Sequence, residues 1–240
     1  MSAPENRLEY LAVALDTSDW SEFENWCDRF GARAGVLKVG LEAYVRWGPR
    51  AVVRAQATGA RIFLDLKLHD IPNTVAGAVR AAAGLGVSYL TVHSSGASRM
   101  LASAVEAADG QVRILGVTLL THLDEGELAD LDLPGSPEAR VGRWARLAAA
   151  AGCTGVVCSP LEVARLHELL PAGVELVTPG IRPTIGTGTT VVDDDDQRRV
   201  ATPTTALADG ASLLVIGRPL TRASDPEAVL ANLAAARPQP

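Results

Sequence analysis

Lysine is almost absent from this 240-residue chain. Of its 22 basic residues 20 are arginine, which leaves only Lys38 and Lys67. Arginine cannot release a proton in a protein and lysine can. A chain that uses arginine wherever a positive charge suffices therefore marks its two lysines as candidates for chemistry. Cysteine is scarce too: Cys27, Cys153 and Cys158 are an odd number with no CxxC pair, which indicates neither a disulfide framework nor a zinc site. A positive balance is missing, since 28 acidic residues outweigh the basic ones to give −6. Such a chain is a poor partner for nucleic acid or an anionic membrane surface. An anionic ligand would need a site built from a few local cations. No apolar run approaches the ~20 residues of a membrane span, and the opening MSAPENRLEY has no signal-peptide core. The expectation is a soluble, cytoplasmic protein.

The chain does carry apolar residues in quantity, at 48% against 21% charged, which is globular composition. Short apolar runs alternate with longer Ala- and Leu-rich helical stretches. The strand candidates are Leu11–Asp16, Gly35–Leu41, Arg61–Lys67, Tyr89–His93, Val112–Leu119, Gly155–Cys158, Glu175–Thr178 and Leu213–Gly217. Between them lie patterns such as Ser18–Phe30, where Trp20, Phe23, Cys27 and Phe30 form an apolar stripe at helical spacing. Asp225–Ala236 supplies a last helix, with Pro226 at its first turn. Eight strands, each followed by a helix, predict an α/β fold of the TIM-type (β/α)8 barrel class, with residues 1–240 as one domain. No GxGxxG follows the first strand, which argues against a dinucleotide fold.

A barrel places catalytic groups at the C-terminal ends of its strands. Asp16, Lys38, Asp65 with Lys67, His93 and Thr118 fall at such ends, and Arg218 follows the eighth strand. Period-two alternation puts Phe63, Asp65 and Lys67 on one face and Ile62, Leu64 and Leu66 on the other, toward the helices. The densest stretch is DLKLHDIPNT, residues 65–74. Asp65 and Lys67 share a face, Asp70 opens the next loop, and Lys38 comes from the adjacent strand. Alternating charges of this kind hold one another in place and keep a lysine protonated. A held ammonium beside a carboxylate suits a reaction that builds negative charge on carbon and then needs a proton there. The same pattern would serve as a structural ion-pair network at the barrel rim, and the residues alone leave that open.

A second constellation suits an anionic group. Barrels frequently bind phosphate with the loops after strands seven and eight, and here these loops carry PGIRP with Arg182 and GRP with Gly217 and Arg218. Between them, a polar segment from Thr184 to Arg199 reads as a lid. Its run Asp193–Asp196 reads as solvated rather than metal-binding, having no His or Glu beside it. Among the remaining candidates, His93 either lines a base pocket or satisfies a polar layer. His69 supports the loop of Asp70, His167 lies on a helix surface, and Cys158 is a small core residue.

DLKLHDIPNT resembles the DxKxxDIPNT signature of the orotidine 5′-phosphate decarboxylase family. Similarity extends through ALD at Asp16, LKVG at Lys38, VTLLT ending at Thr121, VVCS, TPGIRP, DDQRR and VIGRP. The resemblance implies decarboxylation of orotidine 5′-monophosphate to UMP with no cofactor and no metal, the last step of pyrimidine synthesis. It makes Lys67 the group that stabilises and protonates the pyrimidine carbanion, with Asp65 and Lys38 completing the charged chain. It implies a homodimer in which Asp70, Ile71 and Thr74 serve the partner's site. Asp16 and Lys38 would hold ribose hydroxyls, Thr121 would lie against the base, and Arg182, Gln197, Gly217 and Arg218 would meet the phosphate. His122 departs from the Ser that commonly follows LT in the family. Two other readings are a magnesium-dependent sugar-phosphate decarboxylase or aldolase of the same barrel superfamily and a non-catalytic phosphate-ligand barrel. The first would use a Glu where this chain has Lys38. The second would leave gaps among Lys38, Asp65, Lys67 and Asp70, all of which are present.

Overall fold

The computed structural model describes residues 7–133, 135–185, 188–189 and 199–236. Eight parallel strands close into a barrel: β1 (Leu8–Ala14), β2 (Ala34–Val39), β3 (Arg61–Leu68), β4 (Tyr89–His93), β5 (Arg113–Val117), β6 (Gly155–Val157), β7 (Glu175–Thr178) and β8 (Leu213–Ile216). Each strand pairs with its neighbours in sequence, and β1 pairs with β8 to complete the ring. All eight predicted strands are present and the barrel is closed.

The alternation of side chains sorts the core into two parts. Ala12, Val36, Phe63, Tyr89, Leu115, Val177 and Leu213 fill the barrel interior. Ile62, Leu64, Leu90, Ile114, Val156 and Leu214 face outward onto the helices. The helix Trp20–Phe30 shows why such segments dock. Asp19 caps its first turn by accepting from the amides of Ser21 at 2.7 Å and Glu22 at 3.1 Å, a cap worth about 1 kcal/mol. Phe23, Cys27 and Phe30 are then buried along one face, and each large side chain contributes roughly 1.5–3 kcal/mol. The closing helix, Pro226–Ala235, starts in the same way from Asp225, which accepts from the Ala228 amide.

The N-terminal end of the barrel is closed by a polar cluster. The buried Tyr89 hydroxyl accepts from Arg61 at 3.0 Å and from Arg113 at 3.1 Å. Those guanidiniums in turn reach Glu9 and Glu175. This end uses arginine alone. Both lysines project from the opposite half of the barrel, toward the C-terminal mouth.

Candidate active site

Lys38 lies on β2, paired in register with Ala14 of β1 and Phe63 of β3. Its ammonium therefore emerges between the ends of those two strands. Nζ donates to both oxygens of Asp16, at 3.2 and 3.1 Å, and stands 3.5 Å from Asp65 Oδ2. Asp65 accepts from Lys67 Nζ through both oxygens at 2.9 Å and from the Thr91 hydroxyl at 2.9 Å. The result is an unbroken row, Asp16–Lys38–Asp65–Lys67, across three strand ends. Its centre is buried, with Lys38 7% and Asp65 9% exposed, while the Lys67 side chain at 30% is open to the mouth.

A bend in the chain aims Lys67. Pairing of β3 with β4 shifts register between Leu64 and Leu68, and Lys67 takes a left-handed backbone with φ 49°. For a residue with a side chain such a conformation costs on the order of 1–3 kcal/mol and persists only where its surroundings impose it. Here the Lys67 amide donates to Thr91 Oγ1 at 2.9 Å, while that hydroxyl donates to Asp65. Thr91 thus fixes both members of the pair. Sequence reading misses it, because Thr in a buried strand is ordinary packing material. Gly40 is missed as well: a Cβ there would collide with the Asp16 carboxylate and crowd Lys38 Nζ.

The charges in this row sustain one another. Burial alone would push Lys38 down, but the carboxylates of Asp16 and Asp65 outweigh it and hold its pKa above 10.5. Burial would likewise raise Asp65, but Lys38 and Lys67 outweigh it, with further help from the Lys67 and Thr91 hydrogen bonds, and hold it below 3.8. A depressed carboxylate contributes stability above its unfolded pKa and loses it as pH falls through the folded value. A raised lysine contributes below its unfolded pKa and loses it as pH rises through the folded one. The Lys38–Asp65 contribution is therefore constant through neutrality, lost in acid as pH falls through the depressed Asp65 value and in alkali as it rises through the raised Lys38 value. Asp65→Asn, which removes the carboxylate between Lys38 and Lys67 while Lys38 keeps Asp16, is expected to cost about 1–3 kcal/mol near neutral pH. Urea denaturation of variant and parent across the pH range checks this: the deficit should be flat through neutrality and shrink once Lys38 loses its proton. A deficit that varied steadily through neutrality would contradict the assignment.

The row opens onto a cavity of about 560 Å3 at the C-terminal mouth, within the range of small-molecule sites. Phe63, Val117, Val157 and Val215 form its apolar floor, and Thr121 and His122 line it from the loop after β5. Gly180 and Arg182 contribute from the loop after β7, and Gly217 and Arg218 from the turn after β8. A ligand with an anionic end and a planar end therefore meets guanidiniums from one set of loops and the charged row from another. Among the described residues no group of three or more His, Cys, Asp and Glu is arranged to hold a metal ion.

Other predicted site residues lie elsewhere. Within one subunit Asp70 is not part of the charged row. It is exposed and accepts from the Ile71 amide at 2.6 Å. Ile71, at 66% exposure, and Thr74 also face outward at the start of the helix Pro72–Gly84. Asp16, two residues past β1, stands in the row beside Lys38 instead. Thr118 turns away to donate to the Val157 carbonyl at 2.7 Å. His93 is half-buried against the His69 ring, 5.3 Å between centroids. Burial, together with the charges of His69 and Lys67, lowers the His93 pKa. His167 is exposed, and Cys158 is buried, with its thiol pushed up by burial. Of the expected lid, Thr184–Ile185 and Gly188–Thr189 pair as a short antiparallel hairpin. Gln197 and the run Asp193–Asp196 lie outside the described residues.

A family model described as Orotidine 5'-phosphate decarboxylase / HUMPS family matches residues 9–233. The orotidine 5'-phosphate decarboxylase of Thermobifida fusca (strain YX) is 50% identical over 228 residues, covering 94% of either chain. The protein of the same name from Anaeromyxobacter sp. (strain K) is 46% identical over 227 residues, covering 95% of this chain and 97% of its own. The crystal structure of orotidine 5'-phosphate decarboxylase from Lactobacillus acidophilus superposes with a TM-score of 0.80 at 33% identity, covering 94% of this chain and 97% of that one.

Proposed function

The chain belongs to the orotidine 5′-phosphate decarboxylase / HUMPS family, and on that premise we propose that it converts orotidine 5′-monophosphate to UMP in pyrimidine synthesis, with Lys67 as the proton donor. The observation that carries the assignment of roles is the row Asp16–Lys38–Asp65–Lys67 at the mouth of a cavity with two arginines in its lining. The pyrimidine would lie over Phe63 and Val157 with its carboxylated carbon toward Lys67. The bond from that ring carbon to the carboxylate breaks, carbon dioxide leaves, and the electron pair stays on the ring. An ammonium held by Asp65 stabilises that developing carbanion and then transfers a proton to it. The amine left behind regains its proton from solvent through the open mouth.

Asp16 and Lys38 would meet ribose hydroxyls, Thr121 the base, and Arg182, Gly217 and Arg218 the phosphate, with Gln197 assigned there from sequence alone; the cavity they share supports this reading. Asp70, Ile71 and Thr74 would complete the site of a second copy. An exposed isoleucine next to an exposed carboxylate at a helix start supports that reading, since each gains a role on a partner's surface. The reaction draws on side chains alone, and the protein would act in the cytoplasm as one barrel domain.

The test is the ultraviolet absorbance change on adding orotidine 5′-monophosphate to the purified protein, with and without EDTA. Conversion to UMP at the same rate in both is expected. Binding without conversion would overturn the reading. Activity lost to EDTA would favour the magnesium-dependent sugar-phosphate alternative.

A further inference from the structure

Arg199 lies outside the cavity, yet its guanidinium is shared among three acceptors from two loops. Nε donates to the Thr121 carbonyl at 3.4 Å and Nη2 to the Leu120 carbonyl at 3.2 Å. Nη1 pairs with Glu162, itself 6% exposed. Glu162 Oε2 in turn accepts from the Ser159 amide at 2.7 Å, at the end of β6. Burial raises Glu162, and Arg199 only partly offsets it. Glu162 is thereby held on both oxygens, by the Ser159 amide at the start of the short helix Pro160–Glu162 and by Arg199, so the guanidinium is anchored to a fixed point of the fold.

The backbone next to Arg199 leads to the other end of the cavity. Ala201 forms a bridge with Ile181: the Ala201 amide donates to the Gly180 carbonyl at 3.2 Å, and the Arg182 amide donates to the Ala201 carbonyl at 2.9 Å. Residues 199–201 are thus a strap. At one end they are hydrogen-bonded to the segment that carries Arg182, and at the other they clamp the carbonyls of Leu120 and Thr121. Gly180, Arg182, Leu120 and Thr121 all line the cavity.

We propose that Arg199, held by Glu162, is a positioning residue that couples the phosphate-facing loop after β7 to the base-facing loop after β5, so that occupation of one end sets the geometry of the other. This rests on the function proposed above. The guanidinium is suited to the task because it is a planar fork with several donors in fixed directions, whereas a lysine ammonium is a flexible point charge that cannot span the same three acceptors. Coupling of this kind is a two-state property of packed loops and typically changes affinity or rate by 5–150-fold.

The decisive comparison uses two substrates, orotidine 5′-monophosphate and orotidine, which lacks the phosphate. Arg199→Lys keeps the charge that Glu162 needs and removes the fork. Its kcat/KM for the phosphorylated substrate is expected to fall about tenfold or more, while that for orotidine stays within about twofold of the parent. A merely structural role would lower both by the same factor, through loss of folded protein, and that result would overturn the proposal, as would no loss on either substrate. Glu162→Gln, with one oxygen left to serve both Ser159 and Arg199, should show a smaller loss with the same selectivity. It carries the test if Arg199→Lys melts early. Failure of the parent enzyme to convert orotidine 5′-monophosphate would instead refute the proposed function, so the two failures are distinguishable.

Discussion

Lys67→Ala is expected to bring decarboxylation down by on the order of 10^4-fold or more, since in the proposed mechanism it removes both the general acid and the cation facing the developing carbanion. The fold should survive the change. Asp65 keeps Lys38 at 3.5 Å and the Thr91 hydroxyl at 2.9 Å, so it is not left as an unpaired buried charge. UMP should bind with nearly unchanged affinity, because the cations of Arg182 and Arg218 and the pair Asp16–Lys38 are untouched. Lys67→Arg makes the test sharper. It restores a positive charge beside Asp65 but supplies no transferable proton, so it should remain nearly as inactive as the alanine variant. Turnover measured by absorbance and UMP affinity by calorimetry decide the matter together. If Lys67→Arg recovered most of the activity, electrostatic stabilisation alone would suffice and the proton would have to come from elsewhere. An active Lys67→Ala would remove this residue from the chemistry.

The scarcity of lysine makes Lys38 and Lys67 conspicuous in the sequence, and the structure brings both together at the barrel mouth. At the closed end of the barrel, where only ion pairing is needed, Arg61 and Arg113 brace Tyr89. At the open end Lys67 adjoins a cavity. The strand pattern was legible because inward Phe63 and outward Ile62 and Leu64 alternate cleanly. Strand ends were less so. β5 stops at Val117 rather than Leu119, since Thr118 directs both its amide and its hydroxyl to Val157. β1 begins at Leu8 and ends at Ala14 instead of running from Leu11 to Asp16, because polar Glu9 at its start hides a pairing that the backbone still makes. What sequence could not show were contacts assembled from distant loops. Thr91 meets Asp65 from a different strand, and Arg199 meets Glu162 across 37 residues. No spacing rule within one segment encodes such pairs.

Asp70 is where reading along the chain and reading the fold part ways, and it yields the second large effect. In sequence it belongs with Asp65 and Lys67. In one subunit it stands apart from the charged row, exposed and accepting from the Ile71 amide. If it serves a partner's site, two inactive variants should rescue each other. In a heterodimer of Lys67→Ala and Asp70→Ala chains, one site combines both defects, while the other combines an intact Lys67 with an intact Asp70. Random exchange in an equal mixture makes half the dimers mixed, so roughly a quarter of the parent activity should appear under two-fold symmetry. Each variant alone lacks one group in both of its sites and supplies the baseline. Exchange is verified by native mass spectrometry of differently tagged chains, so that the mixed species is counted and not assumed. If mixed dimers form and activity stays at the baseline, Asp70 acts within its own subunit and the loop must swing inward on binding. Recovery in proportion to the mixed fraction would instead assign the exposed carboxylate to its neighbour, and with it the exposed Ile71 and Thr74 on the same turn.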